Sequence, residues 1–573
     1  MPDKATNFAW VSKLNPIVHQ SFKILLVGVF FGILIICGIN GLNMKTPQKD
    51  FIELNLNDSE ILPKTLVKDL NFRKKNLTKP HNVSILTPEV STNPSIVPWV
   101  SAELEANYSS NLLAKWLTPG GEPCKDSRTV DIIVPSLDGH ENIELSSGDI
   151  HEFVFQALDD SGKPHCSGGD YFETDLSSEN WKSRPPVKDM GNGTYSVSLQ
   201  VHPDFAGDYN LTIILLFRHY EGLKFSPIRS AFDRVVRVFP IKFLKSTSKL
   251  SEIRQCKKVD YGKDVWSGRW TRHAKNDSCV ISNDGRYRCQ EPSFPCTSPW
   301  CDGPLGVLES NGWVYSTHCS FKLLSSEEAW NSLNNRWIFW WGDSNHCDTV
   351  RNILHFILDV HHIRVIPRIF DMNITNPRNS SQTLRFTSIF NGHPNDTGNY
   401  QGLNSLINPN YRALLKGYFS GNVVPDTMIM NSGLHDGVFW PSIRSFVKGA
   451  DYAASFWAEV MEGVRKRGAV PPEIIYRTTV ATGGYARTWP FNPQKMEAFN
   501  GVVLDKWRQY GVLDRVIDDF DMTYPWHYDN RCSDGVHYGR APLKAKWRDG
   551  QIGHQYFVDL MLSHVLMNAL CVR

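Results

Sequence analysis

The sequence predicts an α/β fold for the C-terminal half of the chain, a parallel sheet covered by helices on both faces, preceded by an all-β sandwich and a single N-terminal transmembrane helix. Three observations carry this reading. Strand-like apolar runs at 335–341, 427–430 and 473–480 alternate with helix-spaced apolar patterns at 350–360, 452–467, 496–510 and 551–570; strands alternating with helices of this length build parallel sheets buried on both sides. Short alternating runs such as 130–134, 194–199 and 209–215, separated by turn residues, fill 126–245, as in a sandwich of antiparallel strands. One long apolar run, 24–39, stands near the start and continues less cleanly to Met44; a span needs roughly 20 apolar residues, so the Asn40–Met44 tail must sit at the far interface.

A cleaved signal peptide is the competing reading of that run. The preceding segment is long for a signal n-region and no small-x-small pair follows, which favours an uncleaved anchor. Lys4, Lys13 and Lys23 precede the run against Asp3, so the N-terminus is expected in the cytosol and the rest in the lumen of the Golgi or another secretory-pathway membrane, a type II arrangement. Asn-x-Ser/Thr sequons at Asn57, Asn76, Asn82, Asn107, Asn192, Asn210, Asn276, Asn373, Asn379 and Asn395 agree with that orientation. So does the crowd of Cys256, Cys279, Cys289, Cys296, Cys301 and Cys319, which reads as disulfides because the paired spacing of a zinc site is missing. Of twelve cysteines, Cys37 lies in the apolar run; the odd remainder requires at least one thiol left over or bonded to another chain. With 573 residues, 41% hydrophobic, 21% charged and a net charge of +2, the composition is that of a globular multidomain protein and gives no reason to expect nucleic acid as a partner.

The chain therefore divides into a cytosolic tail (1–23), an anchor (24–44), a polar, proline-bearing lumenal stem (45–125), the sandwich (126–245) and a catalytic half (250–573) with a cysteine-rich N-terminal part. Within the sandwich, Asp189-Met-Gly-Asn-Gly-Thr-Tyr195 followed by His202-Pro-Asp-Phe-Ala-Gly-Asp-Tyr209 resembles the strand-turn-strand signature of filamin-type immunoglobulin-like repeats. That resemblance implies a fold, with glycines permitting tight turns and tyrosines packing inward. It implies no chemistry.

The chemistry is concentrated at strand ends. Trp340-Trp-Gly-Asp-Ser-Asn345 sits where a buried strand ends and an amphipathic segment begins; a strand-to-helix turn exposes the Ser344 hydroxyl beside N–H groups that stabilise an oxyanion. Read alone, Ser344 is equally a helix cap. In Arg531-Cys-Ser-Asp-Gly-Val-His-Tyr-Gly539, Asp534 and His537 are spaced so that a carboxylate can hold the imidazole Nδ1–H while Nε2 faces a serine from another loop; alone, they read as a capping Asp and a surface His. Met430-Asn-Ser-Gly-Leu-His-Asp436 follows another strand, and Asn431 can aim an amide N–H at an oxyanion or simply form the turn, while His435 reads as a loop histidine. Trp440, Tyr485, Trp489 and Trp526 are either sugar-stacking or core aromatics.

The order Ser, Asn, Asp-x-x-His resembles the SGNH/GDSL hydrolase superfamily. The tryptophan-rich strand into Gly-Asp-Ser, the Gly-Arg-Trp segment at 268–270 and Asp-Gly-Val-His-Tyr are similar to its PC-esterase branch, which includes plant trichome-birefringence-like and animal neurexophilin-and-PC-esterase proteins. The latter also place an immunoglobulin-like module between anchor and esterase. The resemblance implies an SGNH-type three-layer sandwich and acyl-ester chemistry on glycans, as an O-acetyltransferase or an O-acetyl esterase. It implies Ser344 as nucleophile, His537 as base, Asp534 as its orienter, and the Ser344 N–H, Asn431 and Gly392 as oxyanion donors, Gly392 in Phe390-Asn-Gly-His393 being the candidate for the superfamily's second-block glycine. Beside this motif, Cys347 and Cys532 are placed to pair and tie the nucleophile and base loops together. No bound cofactor is expected; a transferase needs acetyl-CoA or an acyl ester as co-substrate, brought into the lumen by another protein, and a glycan as acceptor. Two readings of other classes stay open: a non-catalytic adhesion or ligand-presenting glycoprotein, and a metal-dependent hydrolase on Asp343, His346 and Asp348, whose spacing matches no ligand pattern.

Overall fold

The computed structural model describes residues 96–117, 127–272, 313–363, 365–392, 401–528, 535–538 and 556–572. The anchor expected at 24–44 and the part of the expected stem before 96 lie outside these, and among the described residues no helix is long and apolar enough to cross a membrane.

After helix α1 (Tyr108–Leu117) come nine strands: β1 (Asp131–Ile133), β2 (Ile143–Ser146), β3 (His151–Leu158), β4 (Tyr171–Ser177), β5 (Trp181–Ser183), β6 (Val187–Asp189), β7 (Thr194–Leu199), β8 (Gly207–Phe217) and β9 (Arg234–Leu244). They form two sheets, one in the order β1-β3-β7-β6 and the other containing β5-β4-β8-β9-β2. Period-two alternation sends Phe155, Tyr195 and Val197 of the first sheet and Phe172, Leu176, Leu211 and Ile213 of the second into one shared core. Two further strands, β10 (Arg269–Arg272) and β11 (Trp313–Ser316), extend the second sheet beyond β5, with Arg269 opposite Ser183. The segment after residue 250 thus completes the sandwich and also touches the C-terminal half: the N–H groups of Trp266 and Gly268 donate to Asp518 (2.9 Å) and Asp521 (2.7 Å).

The C-terminal half is mixed α/β. Its elements are α2 (Ser326–Leu333), β12 (Arg336–Gly342), α3 (Ser344–Asn352), β13 (Ile369–Asn376), β14 (Asn379–Phe390), α4 (Pro409–Tyr418), β15 (Thr427–Met430), α5 (Leu434–Phe439), α6 (Ile443–Lys466), β16 (Glu473–Arg477), α7 (Pro493–Gln509), β17 (Arg515–Ile517), α8 (Asp519–Thr523) and α9 (Tyr556–Cys571). The sheet order is β13-β14-β12-β15-β16-β17, parallel throughout except for the antiparallel edge strand β13. The four central residues of β12 are apolar on both faces because both faces are covered. Phe339 and Trp341 point to α4 and α6, where Trp341 meets Tyr411 and Trp457. Trp340 points the other way, to α3 and Phe386. Each such ring, wholly buried, contributes about 2–3 kcal/mol of transfer free energy.

The helices start where side chains can cap them. Ser325 and Glu328 form a reciprocal capping box at α2, Asn408 caps α4 ahead of Pro409, Ser442 caps α6, and Asn492 caps α7 ahead of Pro493. The segment expected as a helix at 350–360 starts earlier, at Ser344, and widens into a π turn over Ile353–Ile357. The strand expected at 473–480 stops at Arg477, because Thr478 Oγ1 turns to Asp518 (2.9 Å) and the Thr479 N–H to Asn500 (2.8 Å).

Candidate active site

The first parallel strand, β12, lies between β14 and β15, so the chain moves to one side of it and then to the other. In such sheets ligands bind outside the carboxyl ends of the strands at this switch point. Gly342 ends β12, Asp343 caps α3 by accepting the N–H of Asn345 (2.9 Å), and Ser344 is the first helical residue. The Ser344 hydroxyl therefore stands at a helix N-terminus whose leading N–H groups have no partner within the helix.

The neighbouring strand ends are laced to this one. The Asn391 N–H donates to Gly342 O (2.8 Å) and the Asn431 N–H to Trp341 O (3.0 Å), while Asn391 Nδ2 donates to Asn431 O (2.9 Å) and Ser432 Oγ (3.0 Å). Gly392 is buried beside Asn391. Asn431 commits one amide N–H to Arg477 O at 3.0 Å, whereas the approach of its Nδ2 to Thr479 Oγ1 is a long 3.5 Å.

His537 arrives from the other end of the chain. Its Nε2 lies 2.6 Å from Ser344 Oγ, within the range for proton transfer. The turn that carries it is held from two sides: Gly535 O accepts from the Gly483 N–H (2.8 Å), and the Tyr538 hydroxyl donates to Ala481 O (2.7 Å) and Thr523 O (3.1 Å). Gly535 has φ +92°, and a Cβ there would come within 2.7 Å of Ala486 Cβ; glycine is required on both counts. Asp534 and Cys532 lie outside the described residues, as does any pairing of Cys532 with the half-buried Cys347.

His435, expected to be an ordinary loop histidine, is buried with its ring 5.3 Å from that of Phe390. Burial is the main force holding it neutral, and the charges acting on it are those of Asp343, His537 and Arg368, so it belongs to the site's surroundings. Its signal in the sequence was its place four residues after Asn431. Asn391 was passed over because its value is structural, in joining three strand ends. Beneath the site, Arg477 is 1% exposed, pairs with Asp519 at 2.6 Å and donates to Thr349 Oγ1 (3.1 Å), tying β16 to α3. Burial pushes the Asp519 carboxyl up to about 7 against the pull of Arg477.

Asp343, His346 and Asp348 do not converge; among the described residues the single group within metal-ligand reach is Asp260, His318 and Cys319, and Cys319 is bonded to Cys256. Cys571 carries a free thiol. Of the aromatic residues considered for sugar stacking, Trp440 donates its Nε1–H to Asp436 (2.8 Å) and Trp526 packs edge-on against Trp270 and Trp313. Tyr485 (46% exposed) and Trp489 (41%) instead lie open, with ring centroids 5.5 Å apart, on the turn that packs against Gly535. Asn107, Asn192, Asn210, Asn373 and Asn379 are all exposed, and Asn57, Asn76, Asn82, Asn276 and Asn395 lie outside the described residues.

No protein-family model matches the chain, and no curated protein matches it. Among solved structures, a variant of Axe2, an acetyl xylan esterase from Geobacillus stearothermophilus, is 11% identical with a TM-score of 0.26 over 42% of this chain and 96% of that one. LAE5, an alpha/beta hydrolase enzyme from the metagenome of Lake Arreo, Spain, is 12% identical with a TM-score of 0.25 over 42% of this chain and 97% of that one. Domains 4 and 5 of the S-layer protein SbsC are 14% identical with a TM-score of 0.14, and the match spans 21% of this chain and 54% of theirs. Similarity at this level establishes no function for this chain.

Proposed function

We propose that this chain is a serine acyl-ester enzyme of the SGNH/PC-esterase type, acting on glycans in the secretory pathway as an O-acetyltransferase. The observation that carries the reading is the 2.6 Å approach of His537 Nε2 to Ser344 Oγ at the switch point of a parallel sheet. Ser344 Oγ attacks the carbonyl carbon of the acyl donor, acetyl-CoA or an acyl ester, as His537 Nε2 takes its proton. The oxyanion is received by the N–H groups of Ser344 and Gly392 and by the loosely held second N–H of Asn431. Collapse breaks the bond to the donor's leaving group, which takes the proton from His537 and departs. A sugar hydroxyl, or water, then attacks the acyl-serine with His537 again as base; the acyl–Oγ bond breaks, Ser344 Oγ takes the proton back from His537, and Asp534 orients that ring throughout.

The glycan assignment is supported by the exposed Tyr485 and Trp489 rings beside the catalytic turn, because aromatic faces pack well against the C–H faces of sugars. The lumenal placement, with 24–44 as anchor and the donor supplied by another protein, is supported by the exposure of the five sequon asparagines named above. Incubating the lumenal segment with p-nitrophenyl acetate and a mixture of free glycans tests the acceptor. Transfer predicts acetylated sugar formed in step with nitrophenolate; acetate alone would make the chain a glycan O-acetyl esterase.

A further inference from the structure

The second sheet of the sandwich contributes a buried carboxylate to the support of the catalytic turn. In β4, alternation sends Phe172 and Leu176 into the sandwich core and leaves Tyr171 and Glu173 on the face toward the α/β half. Glu173 is wholly buried there. Its carboxylate accepts from Arg487 through Nε (3.1 Å) and Nη2, and from His527 Nε2 (2.7 Å). Burial works to raise this carboxyl; Arg487 and His527 overcome it and leave it at about 2, so it is a charged anchor at every physiological pH.

Both partners belong to the scaffold around His537. Arg487 lies in the short helical turn Gly484–Thr488, whose Ala486 packs on Gly535. The Gly484 N–H donates to His527 O (2.7 Å) and the adjacent Gly483 N–H to Gly535 O (2.8 Å). Gly535 is two residues before His537, a span of at most about 7 Å of chain. A continuous run of contacts therefore joins a sandwich strand to the imidazole: Glu173, then Arg487 and His527, then 483–486, then Gly535. A second carboxylate at the same interface reaches this scaffold less directly: Glu497 on α7 accepts from Arg184 (2.8 Å) and Tyr171 (2.9 Å), and Arg184 meets His527 only through the ring of Tyr524.

We propose that Glu173 is a positioning residue for His537, so that the sandwich is a working part of the catalytic apparatus and not a spacer. The proposal rests on the acyl-transfer reading for its consequence, though not for its geometry. The test compares Glu173→Gln with Glu497→Gln in the full lumenal chain, by steady-state turnover of p-nitrophenyl acetate and by amide hydrogen exchange read by mass spectrometry. Glu173→Gln is expected to lower kcat by about 10- to 100-fold with KM changed less than about twofold, as misplacing a catalytic group does, and to speed exchange at 483–488 and 535–538. Glu497→Gln is expected to leave both readouts at the native level. Should Glu173→Gln fail to fold, Glu173→Met combined with Arg487→Met replaces the buried pair with apolar side chains and is expected to show the same loss. Native exchange at 535–538 in a folded Glu173 variant, or equal acceleration in Glu497→Gln, overturns the proposal. If the native protein forms no acyl-serine, the acyl-transfer reading fails, while the exchange comparison still decides whether Glu173 holds the turn.

Discussion

Gly342 has no room for a side chain, because a Cβ built there would overlap Nδ1 of His346, and that ring is trapped against Trp340 with centroids 5.7 Å apart. Gly342→Ala is expected to lower stability by about 2–3 kcal/mol, whereas Gly417→Ala in α4, where a Cβ would meet nothing within 4 Å, is expected to raise it by about 0.5–1 kcal/mol. Urea unfolding of both variants checks this, and equal midpoints would show that His346 yields. The Gly-Asp-Ser motif was visible in the sequence, as was His537, because a nucleophile at a strand end and a histidine near the final helix are local patterns. The reason for the glycine was not visible, since His346 reaches Gly342 only once α3 has folded back over the strand end. Arg477 and Asp519 were equally hidden: each sits in an unremarkable stretch of sequence, and only the approach of α8 to the end of β16 makes them a buried pair.

At the scale of elements, the sheet's buried strands declared themselves and its exposed edge did not. Trp337 to Trp341 and Thr427 to Met430 are unbroken apolar runs or nearly so, whereas β13 offers only the short alternation of Phe370, Met372 and Ile374, and the two strands carry Asn373, Asn379, Ser380 and Ser381 on exposed positions. Helix α6 starts at Ile443, earlier than its apolar spacing suggests, because the Ser442 cap fixes the first turn independently of that spacing. Helix α9 is buried over its length from Val558 to Leu570 and takes His564 with it. The Leu324 N–H donates to His564 Nδ1 (3.2 Å), so that nitrogen must stay unprotonated, and burial lowers the ring from 6.5 to about 4. A depressed histidine stabilises the fold above its unfolded value and ceases to as pH falls through its folded one. Between pH 6.5 and pH 4, roughly 3 kcal/mol should be lost from this group. Urea unfolding across that window should show a shallower decline for His564→Gln than for the native chain. The decline should not vanish, because buried His346 is lowered in the same direction; an unchanged slope would mean that His564 is not neutral in its site.

The whole molecule joins two chemistries of folding. The described residues form one compact unit, in which the sandwich's second sheet is extended by β10 and β11 and meets the α/β half through Glu173, Arg487 and His527. Such pairings join residues more than three hundred positions apart and leave no local trace, which explains why the sandwich was legible as a fold yet not as a contributor to the site. The proposed chemistry converges on one atom, Ser344 Oγ. Purified protein from about residue 45 onward, incubated with p-nitrophenyl acetate, should, by intact mass and peptide mapping, carry an acetyl group on Ser344 that is missing in both Ser344→Ala and His537→Ala. Folded native protein that neither gains that acetyl group nor turns over the ester would contradict the account and leave adhesion or ligand presentation as the better reading of this architecture.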